Sequence, residues 1–468
     1  MTSHHPAPSN PLQRPARATA CTLAVVLALA SSLLGCASNP PQASAAVTQD
    51  DAKLSSPWWS AFNDPLLSQL INQALQANTS IRSAQAALQQ ARALRDVKAA
   101  GLLPSVTATG SAQRAGSDAS SAGNSFKAGL DASWELDVFG GKQSALNASE
   151  ADAQAAQASL ADVQVSVAAE VALAYIQLRG LQTQLGIAQA NLTSQQDTLQ
   201  LTDWRAQAGL VTSLEVEQAR TATEQTRAQV PTLTANIAKA RHSLAVLTGQ
   251  RPLELDALLQ ASQPVPQAPS ALIQSIPAQT LRQRADVRAA EHRISAALAR
   301  VNAAEAERYP SFNLGGSLSL SALTLAGLSN GASLAGSLLG SISVPLFDAG
   351  AGKNQVLAQE AALEQSRAAY QSTVLAALKD VEDALVALDA DRSRLTHLQS
   401  AFEAANNAAL LAQNRYSAGV IDFQTVLQTQ RSLLSSQDSV ASTQADISAD
   451  HVRLVKALGG GWQPGTQP

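Results

Sequence analysis

Four segments of this 468-residue chain alternate apolar and polar side chains with period two. Over 127–139 the even positions are Ala128, Leu130, Ala132, Trp134, Leu136 and Val138, while the odd ones include Lys127, Asp131, Ser133, Glu135 and Asp137. Segment 105–113 sets Val106 and Ala108 against Thr107 and Thr109. Segment 312–321 sets Phe312, Leu314, Leu318 and Leu320 against Asn313, Ser317, Ser319 and Ser321. Segment 333–347 sets Leu334, Leu338, Ile342, Val344 and Leu346 against Ser333, Ser337, Ser341 and Ser343. Such alternation predicts strands with one apolar and one polar face, near 104–114, 126–139, 310–321 and 333–347. They fall into two hairpins joined by the Gly/Ser-rich stretches 114–125 and 322–332. Each is long enough to cross a bilayer when tilted; the alternative is the wet edge of a soluble sandwich. Four strands cannot close a barrel, and an open edge is not tolerated in hydrocarbon. A membrane role therefore requires several copies, and two or more are equally compatible with the strand count.

The other periodicity is helical. No proline lies between Pro104 and Pro231, and none between Gly350 and Gly461. Apolar residues recur there at steps of three and four, as in Val163, Val167, Val171, Ala174 and Leu178, and again in Val374, Leu378, Val381, Leu385 and Leu388. A helix from Gly141 to Ala208 would be roughly 100 Å long. The chain also repeats itself. Pro104 and Pro310 match at a shift of 206, and Phe139 and Phe347 at 208. Arg205-Ala206-Gln207-Ala208-Gly209 matches Arg415-Tyr416-Ser417-Ala418-Gly419 at 210, and Gly249 meets Gly459 at the same shift. Each half reads helix, hairpin, long helix, Gly turn, return helix, with Gly209 and Gly419 where a long helix must end. The expected fold is mainly α with a small β part.

The N-terminus carries a different signal. Arg14 and Arg17 precede an apolar run from Ala20 to Leu34, which fits the apolar core of a secretion signal. The run closes on Leu33-Leu34-Gly35-Cys36, similar to the lipobox of bacterial lipoproteins, so Cys36 is the candidate lipidation site, bearing N-palmitoyl and S-diacylglycerol groups. Cys21 is lost with the signal. The organisation expected is a signal over 1–35, a lipidated tether over 36–56, a first repeat over 57–249, an irregular crossing over 250–280, a second repeat over 281–462 and a tail over 463–468. No later run reaches 18 apolar residues, so no transmembrane helix is expected after Leu34.

Composition narrows the function. Alanine is about a fifth of the chain and aromatics are 3%, which suits long, closely packed helices rather than a compact enzyme core. A net charge of −4 argues against nucleic acid. The histidines beyond the signal, His242, His292, His397 and His451, stand singly, so no metal site is expected. Gly350-Ala351-Gly352-Lys353 lacks the first glycine of a phosphate loop, with Phe347 in its place. Glu382 and Asp383 are adjacent and point to different helix faces. No enzyme and no cofactor are expected, apart from the covalent lipid on Cys36.

Several ordered segments carry a family resemblance: Trp58-Trp59 with Phe62-Asn63-Asp64-Pro65-Leu66, Trp134-Glu135-Leu136-Asp137-Val138-Phe139-Gly140, Glu170-Val171-Ala172 with Tyr175 and Leu178, Arg284-Ala285-Asp286-Val287-Arg288-Ala289-Ala290-Glu291, Pro345-Leu346-Phe347-Asp348, and Arg415-Tyr416 with Gly419. Together they resemble the TolC/OprM-type outer-membrane efflux proteins, in the NodT-like lipoprotein branch. Ala285 departs from the proline usual there. The resemblance implies a homotrimer whose four strands per chain form a twelve-stranded barrel continued by a helical tube into the periplasm. It implies a passive exit duct for drugs or other small solutes, reached through a periplasmic adaptor from an inner-membrane RND-type transporter. It also places an aperture early in the return helix after the second turn, at Gln424, Thr425 and Gln428, with Asp422 and Glu215 nearby. The family's acidic rings are absent at those positions. The rival reading is a lipid-anchored periplasmic coiled-coil scaffold without a channel.

Overall fold

The computed structural model describes residues 57–117, 120–268 and 283–460. A 3-10 turn, Trp58–Phe62, leads into α1 (Pro65–Ala77) and α2 (Thr79–Ala100), then β1 (Ser105–Ser117) and β2 (Ser120–Leu136). The long helix α3 (Gly141–Gln207) and its return α4 (Ser213–Leu247) follow, then a single-turn α5 (Asp256–Leu259). The second half is α6 (Ala285–Ala306), β3 (Ser311–Ala322), β4 (Ser333–Ser343), α7 (Ala351–Ser417) and α8 (Phe423–Ala457). The lengths recur: α3 and α7 each have 67 residues, α4 and α8 each 35, α2 and α6 each 22. Pro231 lies inside α4, so the proline that closes the first proline-free stretch does not end a helix.

All four strands form one antiparallel sheet in the order β1-β2-β3-β4. Outside the irregular tip of the first hairpin, even residues oppose even residues in every ladder: Val106 faces Ala132, Leu130 faces Leu318, and Leu320 faces Leu334. Leu130, Leu318, Leu334, Leu338 and Ile342 are all exposed on that one face. On the other face Ser317 Oγ lies 2.8 Å from Ser337 Oγ, and Thr109 donates to Asp131 Oδ2 at 3.0 Å. Leu339 is the exception, a 65% exposed apolar side chain on the polar face opposite Gly315.

Four strand boundaries differ from the sequence expectation by three residues or more. The first hairpin is longer, since the ladder continues through small residues to Ala115↔Gly123 and Ser117↔Ser120, across most of the stretch expected to be loop. Its backbone bonds need no side-chain alternation. β4 stops at Ser343 rather than 347 because Pro345 has no N–H to continue the ladder. β2 likewise stops at Leu136, and Asp137 turns to cap α3, accepting from Lys142 N at 3.1 Å and Gln143 N at 2.7 Å. Asp348 repeats this joint before α7, accepting from Gly350 N and Gly352 N at 2.8 Å each. The glycine amides that faintly suggested a phosphate loop are thus taken by the protein's own carboxylate.

The main core lies where the N-terminal helices cover the middle of α3. Trp59, Phe62, Leu67, Leu70 and Ile71 pack with Val167, Val171, Tyr175 and Leu178. α3 contains a stretch apolar enough to cross a membrane by length and composition, which a count of uninterrupted apolar runs does not register. Many of its residues are instead buried in this core. Helix α6 starts at Ala285 without a side-chain cap. Arg284 holds the joint by donating to Ala457 O at 2.7 Å and pairing with Asp286 at 2.7 Å. In the crossing expected over 250–280, residues 250–268 carry α5 and otherwise irregular backbone; 269–280 lie outside the described residues.

Candidate functional site

The tip of the two helical hairpins is built from their glycine turns. Gly209 and Gly419 have φ of +71° and +74°, a conformation costly for residues with a Cβ. At the first turn Gly209 N donates to Ala206 O at 2.9 Å and Leu210 N to Arg205 O at 2.8 Å. At the second, Gly419 N donates to Tyr416 O and Val420 N to Arg415 O, both at 2.9 Å. The same double closure thus ends both 67-residue helices.

The aperture candidates separate into two groups. Gln424 and Gln428 are exposed one turn apart on the first turns of α8. Asp422 and Thr425 instead engage each other: Asp422 is the N-cap of α8 and accepts from Thr425 N at 2.9 Å and Thr425 Oγ1 at 2.5 Å. The Thr425 hydroxyl, and next its backbone N–H, hold the Asp422 carboxyl below the usual carboxylate range. Glu215, in the first turn of α4, accepts from Tyr416 Oη at 3.4 Å and so meets the other hairpin. Cys36 lies outside the described residues.

Arg205 was not singled out as a site residue from sequence. From the last turn of α3 it reaches the end of α7, donating from Nη1 to Tyr416 O at 3.0 Å and from Nη2 to Ser417 O at 2.8 Å. Its guanidinium also lies 4.7 Å from the centre of the Tyr416 ring. Tyr416 packs in turn on Phe423 at 5.3 Å, within a small core that includes Ala219, Ala222, Val426 and Leu427. The signal available in the sequence was the matched arginine of the two Gly turns; the partner carbonyls, being backbone, leave no trace there.

The two halves are not equally covered. At a shift of 210 residues, Ile176 in α3 is 1% exposed while its counterpart Val386 in α7 is 67% exposed. Likewise Ala168 is 2% exposed and Leu378 is 41%. α3 is covered by α1, α6 and α8 within the chain, whereas the matching face of α7 is open among the described residues. The outer edges of β1 and β4 also lack a strand partner among the described residues.

The Outer membrane efflux protein family matches the chain twice, over residues 70–250 and 276–460. The chain belongs to that family. Among the relatives of this outer-membrane efflux protein is the pyoverdine export outer membrane protein OpmQ of Pseudomonas aeruginosa. The two are 33% identical over 444 residues, 90% of this chain and 91% of the relative. Nodulation protein T of Rhizobium leguminosarum bv. viciae is 30% identical over 445 residues, covering 93% of this chain and 92% of that protein. The solved structure of the outer-membrane channel OprN matches with a TM-score of 0.82 at 37% identity, over 87% of this chain and 93% of that one. Family membership sets aside the channel-free scaffold. The single sheet, with its exposed apolar face, sets aside the soluble sandwich.

Proposed function

We propose that this outer-membrane efflux protein is the passive exit duct of a tripartite pump, closed as a homotrimer with twelve strands. The observation that carries this reading is the four-stranded sheet, which exposes a continuous apolar face and leaves β1 and β4 open at its edges. Hydrocarbon cannot satisfy those edge N–H and C=O groups, so β4 of one copy pairs with β1 of the next. The open apolar face of α7 supports the same ring, because a neighbour would cover it as α1, α6 and α8 cover α3. The number three rests on the family resemblance.

The polar face of the sheet then lines the lumen and the helical hairpins extend into the periplasm. A lipid on Cys36 anchors the chain to the outer membrane; Cys36→Ala should abolish palmitate labelling, and labelling that persists would refute the assignment. Energy comes from an inner-membrane RND-type transporter through a periplasmic adaptor. The cargo is a drug or another small solute chosen by the pump. Gln424 and Gln428 of the three copies surround the periplasmic aperture, with Asp422, Thr425 and Glu215 shaping its rim.

Planar-bilayer recording of the purified protein, beside a variant opened at the tip, tests the duct. Stepwise conductance in the opened variant is expected; silence in both would overturn the reading. In cells lacking redundant ducts, deletion should abolish outward flux.

A further inference from the structure

Arg205 fastens the first hairpin to the second by donating to the last carbonyls of α7, at Tyr416 and Ser417. Its counterpart at a shift of 210 is Arg415, at the same place in the last turn of α7. The Arg415 side chain is exposed, and its guanidinium makes no hydrogen bond or ion pair with any described residue. The counterparts of the carbonyls that Arg205 binds are those of Ala206 and Gln207. Ala206 O accepts from Gly209 N, as Tyr416 O accepts from Gly419 N while also receiving Arg205, so a second lone pair is open there. Gln207 O accepts no hydrogen bond among the described residues, whereas Ser417 O is filled by Arg205. An unfilled pair of acceptors at the end of α3 thus matches an unused guanidinium at the end of α7.

They are not partners within one chain, since the end of α3 already lies against α7 through Arg205. They become partners when hairpins alternate around a ring, each first hairpin followed by a second and each second by the first of the next copy. The open face of α7, matched to the covered face of α3, points to the same order.

We infer that Arg415 clasps the neighbouring copy at the periplasmic tip, its guanidinium donating to the carbonyls of Ala206 and Gln207 of that copy. This rests on the ring closure proposed above. The two clasps differ in strength. Within a chain, Arg205 also lies on the Tyr416 ring and Tyr416 donates to Glu215. Between copies, the counterpart of Tyr416 is Ala206 and that of Glu215 is Thr425, so neither the aromatic contact nor the phenol–carboxylate bond can form. The seam between copies is therefore the weaker one, and the tip opens along it while each chain's own pair of hairpins stays joined.

The chain's two cysteines are Cys21 and Cys36, so introduced thiols in the helical part are unambiguous. Arg415→Cys combined with Gln207→Cys, treated with a short bis-maleimide in outer membranes, should give covalent dimers and trimers on a denaturing gel. Arg205→Cys with Ser417→Cys should close within one chain and leave its mass that of a monomer. Trimers by native mass measurement, a closed control pair and no inter-chain product for the first pair would overturn the clasp. Absence of any trimer would overturn the ring itself, a separate result. In bilayers, Arg415→Ala should raise single-channel conductance several-fold with trimers intact, and Arg415→Lys should fall between it and wild type. Unchanged conductance in Arg415→Ala would also refute the inference.

Discussion

Tyr175 donates its hydroxyl to Asp64 Oδ2 at 2.8 Å across 111 positions of sequence, while its oxygen accepts from Arg179 at 3.0 Å. Asp64 Oδ1 at the same time caps α1, accepting from Leu66 N and Leu67 N at 2.9 Å each. Arg179 is wholly buried and also donates from Nη1 to Gln182 Oε1 and Ala261 O, both at 2.7 Å, while its Nε has no partner among the described residues. Burial, the leading cause, pushes the Tyr175 phenol up to about 12 despite Arg179, so it stays a donor at any physiological pH.

Tyr175→Phe removes that hydroxyl and leaves a carboxylate oxygen and a guanidinium donor short of a partner. A loss of about 1–3 kcal/mol is expected, read as a lower unfolding midpoint in detergent. An unchanged midpoint would show that water or a shifted side chain replaces the bond.

Glycine turns of equal φ should respond unequally to alanine. Gly249 has φ +72° and a Cβ there would stand 2.6 Å from Ala77 O; at Gly419, with φ +74°, nothing lies within 4 Å. Gly419→Ala should cost about 1–2 kcal/mol, the left-handed conformation alone. Gly249→Ala should cost clearly more, because backbone must also move. Equal melting shifts in the two variants would contradict this.

His451, buried between α8 and α7, has its Nε2 3.3 Å from Arg392 Nη2. Burial first, and the Arg392 charge second, depress it to about 4. The unfolded chain takes up this proton near pH 6.5 and the native state only near 4, so its contribution is complete above pH 6.5. It is lost as pH falls through that window, amounting to about 3 kcal/mol. Adjacent Asp450 works in the opposite sense: burial raises its carboxyl, so acid relieves it. The His451 share is therefore read as a difference, with His451→Gln losing less stability than wild type between pH 7 and pH 4.5. Parallel curves would refute it.

At the aperture, Gln424→Ala combined with Gln428→Ala should raise single-channel conductance and sensitise cells to bulky antibiotics. Neutral amides carry no titrating charge, so closure in the unmodified protein should depend weakly on pH and on divalent cations. Unchanged conductance with trimers intact would place the constriction elsewhere.

The strands and long helices were legible because their signals are local: alternation in one case, proline-free apolar steps in the other. The end of β4 was also legible, in Pro345, but alternation continuing to Leu346 hid it. The extension of the first hairpin was not, because Ala115 and Gly123 pair through backbone alone. Asp422 directly precedes α8 and carries an N-cap signal, while the family resemblance placed it beside the aperture. Arg205 and Arg415 look alike in the sequence. Only the packed tip shows that one is satisfied and the other is not.

The two open sheet edges have a genetic consequence. In a closed ring every copy supplies one edge to each neighbour, so a copy whose β4 cannot pair spoils the ring it joins even when the others are sound. An allele placing proline in the middle of β4 would then be dominant over the wild type rather than recessive. The phenotype would deepen as its expression rises, and co-expression at graded ratios with efflux as the readout would expose it. A truncation that stops before β1 offers no strand to join a ring and should behave as recessive.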